Sequence, residues 1–304
     1  MSGATAAVIH SWTDWRINLV EPRQSVVFPG PRPVTGELLA HAQLLAEHAR
    51  ARREQTSDAP AFLLEFDGFR YRVQRIRPDL YAARTLRNVP LKLTELGFKK
   101  DLENMLLAED MQRTGGLVIV FGSTGAGKTT TVAGTIVSRL EKLGGYCLCV
   151  EDPPENILEG FHGEGYIEQM DASEIGYEAT LVDALRCFPS GRPSMMMLGE
   201  IRSKAEAYEA AQVALDGHLV FTTMHAKDII SGLSRLVSLV TASGEQGVRS
   251  MLAEGLLLAV HLRMSNNVPQ MTVLKFNQMA SAIVKNGELH RLQDEILLQN
   301  KQVR

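Results

Sequence analysis

A glycine-rich loop set between an apolar run and a helical segment constrains this chain more than any other feature. Leu117 to Phe121 is entirely apolar, the pattern of a strand buried on both faces of a parallel sheet. It leads directly into Gly122, Ser123, Thr124, Gly125, Ala126, Gly127, Lys128 and Thr129, and Thr130 to Leu143 then reads as helix. The loop fits G-x-x-x-x-G-K-[ST] completely, in the strand-to-helix context that the motif requires. Glycines let the backbone curl so that successive N–H groups point at phosphate oxygens, and the helix dipole adds positive potential there. Gly122 to Thr130 is therefore the expected nucleotide-binding segment. Lys128 supplies a point charge to the β and γ phosphates, and the Thr129 hydroxyl is the expected Mg²⁺ ligand.

The loop alone implies only a nucleoside triphosphate. Beyond it, Tyr146 to Val150, Ser194 to Leu198 and His218 to Thr222 are further short apolar runs separated by helical or mixed segments. Strands alternating with helices imply an α/β core with a mostly parallel sheet, and ligands gather at the carboxyl ends of such strands. Those ends carry Glu151-Asp152-Pro153-Pro154-Glu155, Gly199-Glu200-Ile201-Arg202 and Met224-His225. Hydrolysis of ATP needs Mg²⁺ near the γ-phosphate and a water in line with it. Glu200 is the candidate to orient and deprotonate that water. Glu151 and Glu155 are candidates for the metal's outer shell, and His225 for sensing the γ-phosphate. A kinase acting on a small substrate could use the same parts.

The chain before residue 115 is polar and irregular by comparison. Phe28-Pro29-Gly30-Pro31-Arg32-Pro33 reads as loop, because prolines fix φ and remove donors. Gly36 to Glu54 reads as a helix with Leu38, Ala42, Leu45 and Ala49 on one face. Its other face, with His41, His48, Arg50, Arg52 and Arg53, is expected to be solvated. Ala61 to Val73 reads as a hairpin turning at Asp67-Gly68. Leu64, Phe66, Phe69, Tyr71 and Val73 alternate there with Glu65, Arg70 and Arg72, so the polar side chains share a face that residues alone describe as solvated.

Composition narrows the classes. At ~150 residues per domain, 304 residues suggest two domains. The formal charge of −3, from 32 basic and 35 acidic residues, argues against nucleic acid as a partner. Three cysteines without a CxxC pair do not make a disulfide scaffold. No apolar run reaches the roughly 18–20 residues of a membrane span, and Met1 to Trp15 lacks the basic region and apolar core of a secretion signal. The expectation is a reduced, cytoplasmic protein.

The order of the phosphate loop, Glu151-Asp-Pro-Pro-Glu155, Leu198-Gly-Glu200-Ile-Arg202 and Gly217-His-Leu-Val-Phe-Thr-Thr-Met-His225 resembles the secretion ATPases. More narrowly it resembles the pilus-retraction (PilT-like) branch and its relatives in type IVB secretion and conjugation, over roughly Phe66 to Leu292. The resemblance makes these segments the Walker A, Asp-box, Walker B and His-box motifs. It implies a RecA-like, mostly parallel sheet over residues 91–304 and a small PAS-like α+β domain over residues 1–90. It implies Mg-ATP hydrolysis, with Glu200 as catalytic glutamate, Glu155 and Glu151 as Asp-box acids and His225 as the His-box residue. It further implies a homo-oligomeric ring, a hexamer, docked on an inner-membrane platform protein. ATP would sit at a subunit boundary, reached by Arg70, Arg72 and Arg84. Arg186 and Arg202 also match family positions, or form structural ion pairs.

The departures are specific. Extension-type members carry a four-cysteine zinc module, and Cys147, Cys149 and Cys187 cannot supply it. The lead-in Gly191-Arg-Pro-Ser-Met195 replaces an Asp-Pro-Asp, Ser203 follows Arg202 where the family has Asp, and Ala282-Ile-Val-Lys-Asn-Gly287 replaces Ala-Ile-Arg-Asn-Leu-Ile. These leave ATPase chemistry intact, while conjugation or type IVB secretion becomes a close rival of pilus retraction.

Overall fold

The computed structural model describes residues 12–55, 59–86, 90–173, 176–189, 194–242, 244, 247–265 and 268–302. Most of the Met1–Trp15 segment and the Gly191–Pro193 lead-in therefore lie outside the described residues. The chain divides into two compact units. One comprises Met1–Val89, Asp152–Ile157 and Asp171–Gly176, and the other Pro90–Glu151, Leu158–Met170 and Tyr177–Arg304.

In the first unit, β1 (Asp14–Asn18), β2 (Val26–Phe28), β3 (Arg32–Pro33), β4 (Ala61–Phe66), β5 (Phe69–Arg77) and β6 (Leu80–Thr85) form a sheet in the order β3-β2-β1-β6-β5-β4. Neighbouring strands pair antiparallel. The hairpin turns where the sequence places it: Asp67 (φ 53°) and Gly68 (φ 80°) are both left-handed, as a two-residue type I′ turn requires. Trp15, Ile17, Phe62, Tyr71 and Tyr81 fill the core, with Leu45 and Ala42 from the helix Gly36–Gln55 packed into it.

Three expectations are corrected here. Phe28–Pro33 is not loop throughout, since Phe28 ends β2 and Arg32–Pro33 form β3. The leading segment is not irregular, since β1 lies between β2 and β6 in the middle of the sheet. Its alternation, Trp15 and Ile17 inward against Asp14 and Arg16, is too short to stand out among charged neighbours. His41 is not on a solvated face either. It sits four residues before Leu45, at the margin of the apolar stripe, and is buried. Its Nε2 lies 2.6 Å from the Tyr71 hydroxyl, and the ring centroids of Trp15, Phe66 and Phe69 lie 5.2, 4.9 and 5.4 Å from its own. Burial lowers its pKa to about 4.

The second unit is built on β7 (Gly116–Gly122), β8 (Gly145–Glu151), β9 (Gly160–His162), β10 (Gly165–Asp171), β11 (Ser194–Glu200), β12 (Leu219–His225), β13 (Leu256–Ser265) and β14 (Val268–Lys275). The sheet order is β14-β13-β7-β12-β11-β8-β10-β9. β13, β7, β12, β11 and β8 run parallel, and the β13–β14 and β9–β10 pairs are antiparallel. This is the mostly parallel sheet that the alternating pattern implies. Every residue of β7 is buried, and Met195, Met196 and Met197 are fully inside as filler on β11. Cys147 and Cys149 are buried on β8.

Candidate functional site

Parallel register brings the chemistry to one edge. Gly122 pairs with His225, Val120 with Thr223, Thr223 with Glu200, and Leu198 with Val150, one residue short of Glu151. The ends of β7, β12, β11 and β8 therefore line up, and each carries a residue that the sequence singles out.

The loop after β7 adopts the backbone its glycines permit. Gly127 caps the helix Lys128–Leu143 in a left-handed conformation at φ 88°, which L side chains rarely adopt. A Cβ at Gly122 would lie 2.6 Å from the Leu262 carbonyl oxygen of β13, so only glycine lets the two strands approach there. The helix starts at Lys128, two residues earlier than the sequence pattern indicates, because Gly127 completes the cap. Lys128 and Thr129 thus occupy its first turn, where N–H groups have no intrahelical partner and the dipole favours anions. Ser123, Thr124 and Gly125 are exposed, Ala126 is buried and Thr130 is half-exposed.

Beneath the loop runs a chain of contacts. The buried Lys128 ammonium donates to the Ser123 carbonyl at 3.1 Å and lies 3.2 Å from His225 Nδ1. His225 Nε2 lies 3.1 Å from Glu200 Oε1. Arg202 closes the far side, its Nε and Nη2 donating to Glu200 Oε2 at 3.1 and 3.0 Å. Donor chemistry fixes the tautomer: an ammonium only donates and a carboxylate only accepts, so His225 accepts at Nδ1 and carries its proton on Nε2. Glu200 reaches this position through a bulge. Leu198 pairs with Thr222 but Glu200 already pairs with Thr223, so Gly199 is the extra residue that re-aims the glutamate. The Thr223 hydroxyl donates to the Gly199 carbonyl at 3.0 Å, and Arg235 holds the His225 carbonyl at 3.2 Å.

The remaining acids separate. Glu151 is buried at the end of β8, with Gln169 of β10 donating to its Oε1 at 3.1 Å. Nearby, burial pushes the Tyr177 phenol far up, and Glu206 and Glu151 add to the shift. Glu155 belongs to the first unit, where it lies 3.7 Å from Arg72. Arg70 pairs with Glu65 across the β4–β5 hairpin, and Arg84 with Asp14 at 2.8 Å. The arginines expected to reach nucleotide are thus ion-paired within their own unit. Arg186 pairs with Asp183 on its own helix. Gln169 and Arg235 stand outside every motif, and Thr223 lies within the Gly217–His225 segment without having been singled out. A polar residue in a mostly apolar strand is the signal that could have marked Thr223, whereas β10 already carries Glu168 and Asp171, so nothing marks Gln169.

Fold and loop together define a P-loop, RecA-like nucleotide-binding unit. The chain belongs to the Type II/IV secretion system protein family, whose family model matches residues 81–286. It is 32% identical over 193 residues to the putative type II secretion system protein E of Escherichia coli (strain K12), covering 60% of this chain and 35% of that protein. It is 36% identical over 163 residues to the type IV pilus assembly ATPase PilB of Myxococcus xanthus, covering 51% of this chain and 27% of that one. The chain thus spans about a third of the length of such relatives. Among solved structures, the Legionella pneumophila ATPase DotB superposes with a TM-score of 0.73 at 19% identity, covering 96% of this chain and 86% of DotB. The pilus retraction motor PilT with bound ADP superposes at 0.71 with 23% identity, covering 97% and 88%. At those identities the likeness is one of fold.

Proposed function

We propose that the chain is a Mg-ATP-hydrolysing motor of a type IV pilus or type IV secretion apparatus, assembled as a hexameric ring. The carrying observation is the contact chain from Lys128 through His225 to Glu200 beneath a complete phosphate loop. The residues fit the nucleotide: a buried ammonium in the first helical turn, backbone N–H groups at a glycine-capped helix, and a threonine hydroxyl at Thr129. When bound, Mg²⁺ supplies charge neutralisation at the phosphates, with Thr129 as its protein ligand and Glu151 and Glu155 as candidates for the shell around it. Lys128 exchanges its contact with His225 for phosphate oxygens. His225 Nδ1 then loses the donor it accepts from in the structure. Glu200, steadied by Arg202, accepts a proton from the attacking water.

In the ring, Arg70, Arg72 and Arg84 of one copy serve nucleotide bound to the next, exchanging the ion pairs seen here for phosphate. Among the described residues no helix is long and apolar enough to cross a membrane. In this reading the motor works on an inner-membrane platform protein from the cytoplasmic side. A conjugal or type IVB secretion engine is the same chemistry on another machine. ATP turnover by the full chain, measured with and without DNA, tests the reading. Turnover indifferent to DNA supports it, whereas turnover that requires DNA would make the chain a nucleic-acid translocase.

A further inference from the structure

Thr223 holds the strand that carries Glu200 at two points, one on either side of the glutamate. Its hydroxyl donates to the Gly199 carbonyl at 3.0 Å, and its own carbonyl accepts from the Ile201 N–H at 2.9 Å. All four residues lie in the second unit. The bond to Ile201 needs only a backbone at 223, whereas the bond to Gly199 needs a hydroxyl. That second bond falls where the sheet ladder is broken. Leu198 pairs with Thr222 on one side and Val150 on the other, and Glu200 pairs with Thr223, so neither ladder includes Gly199. A bulge leaves its extra residue unpaired and re-aims the side chain beside it. Some bulges are shaped by a glycine in the left-handed region, but Gly199 is not one of the left-handed glycines. A Cβ there would lie 3.4 Å from Glu151 Cγ, an ordinary contact. Backbone sterics at Gly199 therefore do not impose the bulge, and the Thr223 hydroxyl is a group that does engage it.

We propose that Thr223 is a positioning residue for Glu200: its hydroxyl locks the bulge at Gly199 and so sets where the Glu200 carboxylate stands beside His225. This role rests on the proposed ATPase reading, in which Glu200 activates water. The neighbouring threonine provides an internal comparison. Side chains alternate along a strand, and Phe221 shares a core with Val132 and Ile136 of the phosphate-loop helix, so Thr223 and His225 face that side of the sheet. Thr222 faces the other side, and its buried hydroxyl has no hydrogen-bond partner among the described residues. The same hydroxyl-to-methyl change therefore removes the bulge lock at 223 and removes no such bond at 222.

The test compares steady-state ATP hydrolysis by the full-length wild type, Thr223→Val, Thr223→Ser, Thr222→Val, Glu200→Gln and the double variant Thr223→Val/Glu200→Gln. Displacement of a positioned group by an ångström can cost on the order of 100-fold. Thr223→Val is expected to lower kcat by about 10-fold or more, with KM for ATP, set by the intact phosphate loop, changing less than about 2-fold. Thr223→Ser returns the hydroxyl and should recover most of the lost rate, and Thr222→Val should hydrolyse as the wild type does. Because Thr223 acts through Glu200, the double variant should be no slower than Glu200→Gln alone. A wild-type rate in Thr223→Val beside a slow Glu200→Gln would overturn the proposal and leave the role of Glu200 standing. Losses that multiply in the double variant, or an equal loss in Thr222→Val, would overturn it too. A wild-type rate in Glu200→Gln would instead remove the role of Glu200, and the positioning role with it. Should Thr223→Val not fold, Thr223→Ala, which also lacks the hydroxyl, takes its place with the same expectations.

Discussion

His225 stands between two charges: its Nε2 lies 3.1 Å from the Glu200 carboxylate while its Nδ1 lies 3.2 Å from the Lys128 ammonium. The imidazole therefore links the residue proposed to bind phosphate to the residue proposed to activate water, accepting at Nδ1 and donating at Nε2. On the proposed reading, phosphate arriving at Lys128 is felt at Glu200 through this ring. His225→Ala breaks the coupling without touching the loop, so kcat should fall by roughly 10²-fold or more, with a smaller change in nucleotide affinity. Steady-state kinetics and binding of a fluorescent nucleotide separate the two quantities.

Arg72 tests assembly. In one chain it lies 3.7 Å from Glu155, and removing it from an isolated protomer should change little. In the assembled ring, Arg72→Ala should lower hydrolysis, by as much as ~10³-fold if it neutralises charge as trans arginines do. Hydrolysis measured on oligomeric fractions from size exclusion checks this, and full activity there would rule out Arg72.

Buried His41 predicts acid sensitivity of the first unit. Its pKa is about 4 in the folded chain and near 6.5 unfolded, so between those values the unfolded state binds a proton that the folded state refuses. Its contribution is intact above about pH 6.5 and is lost as pH falls toward 4, by about 3 kcal/mol in all. His41→Phe should flatten that limb of a stability-versus-pH curve obtained by urea unfolding.

Gly232 predicts a packing cost next to the loop strand. A Cβ there would lie 2.5 Å from ring carbons of the buried Phe121, the residue preceding Gly122. Gly232→Ala gains helix propensity of about 1 kcal/mol, but the clash is with a ring that has no room to move. A net loss of about 1–2 kcal/mol is expected, read as a lower denaturation midpoint with an unchanged slope.

What the sequence made legible follows from the range of the interactions involved. The phosphate loop and the strand-end residues Glu151, Glu200 and His225 could be found because each pairs a local motif with a local apolar run, and parallel register then assembles them. The hairpin at Asp67-Gly68 was legible for the same reason. The short alternating strands β1, β9 and β10, and the late antiparallel pair β13–β14, were not, since their hydrophobicity makes sense only beside their neighbours in the sheet. His41 was misread because a residue at the margin of a helical stripe is buried or solvated according to what packs beside it. Gln169 was invisible: its partner Glu151 lies eighteen residues away, and its strand already carries Glu168 and Asp171.

The central claim is that Glu200 activates the water that attacks nucleotide held by Lys128. Single-turnover ATP hydrolysis by Glu200→Gln, with nucleotide binding measured on the same preparation, tests it most directly. The account predicts wild-type binding and hydrolysis slowed by about 10²-fold or more, whereas Lys128→Ala should fail to bind. Hydrolysis at the wild-type rate in Glu200→Gln, with nucleotide bound, would contradict it.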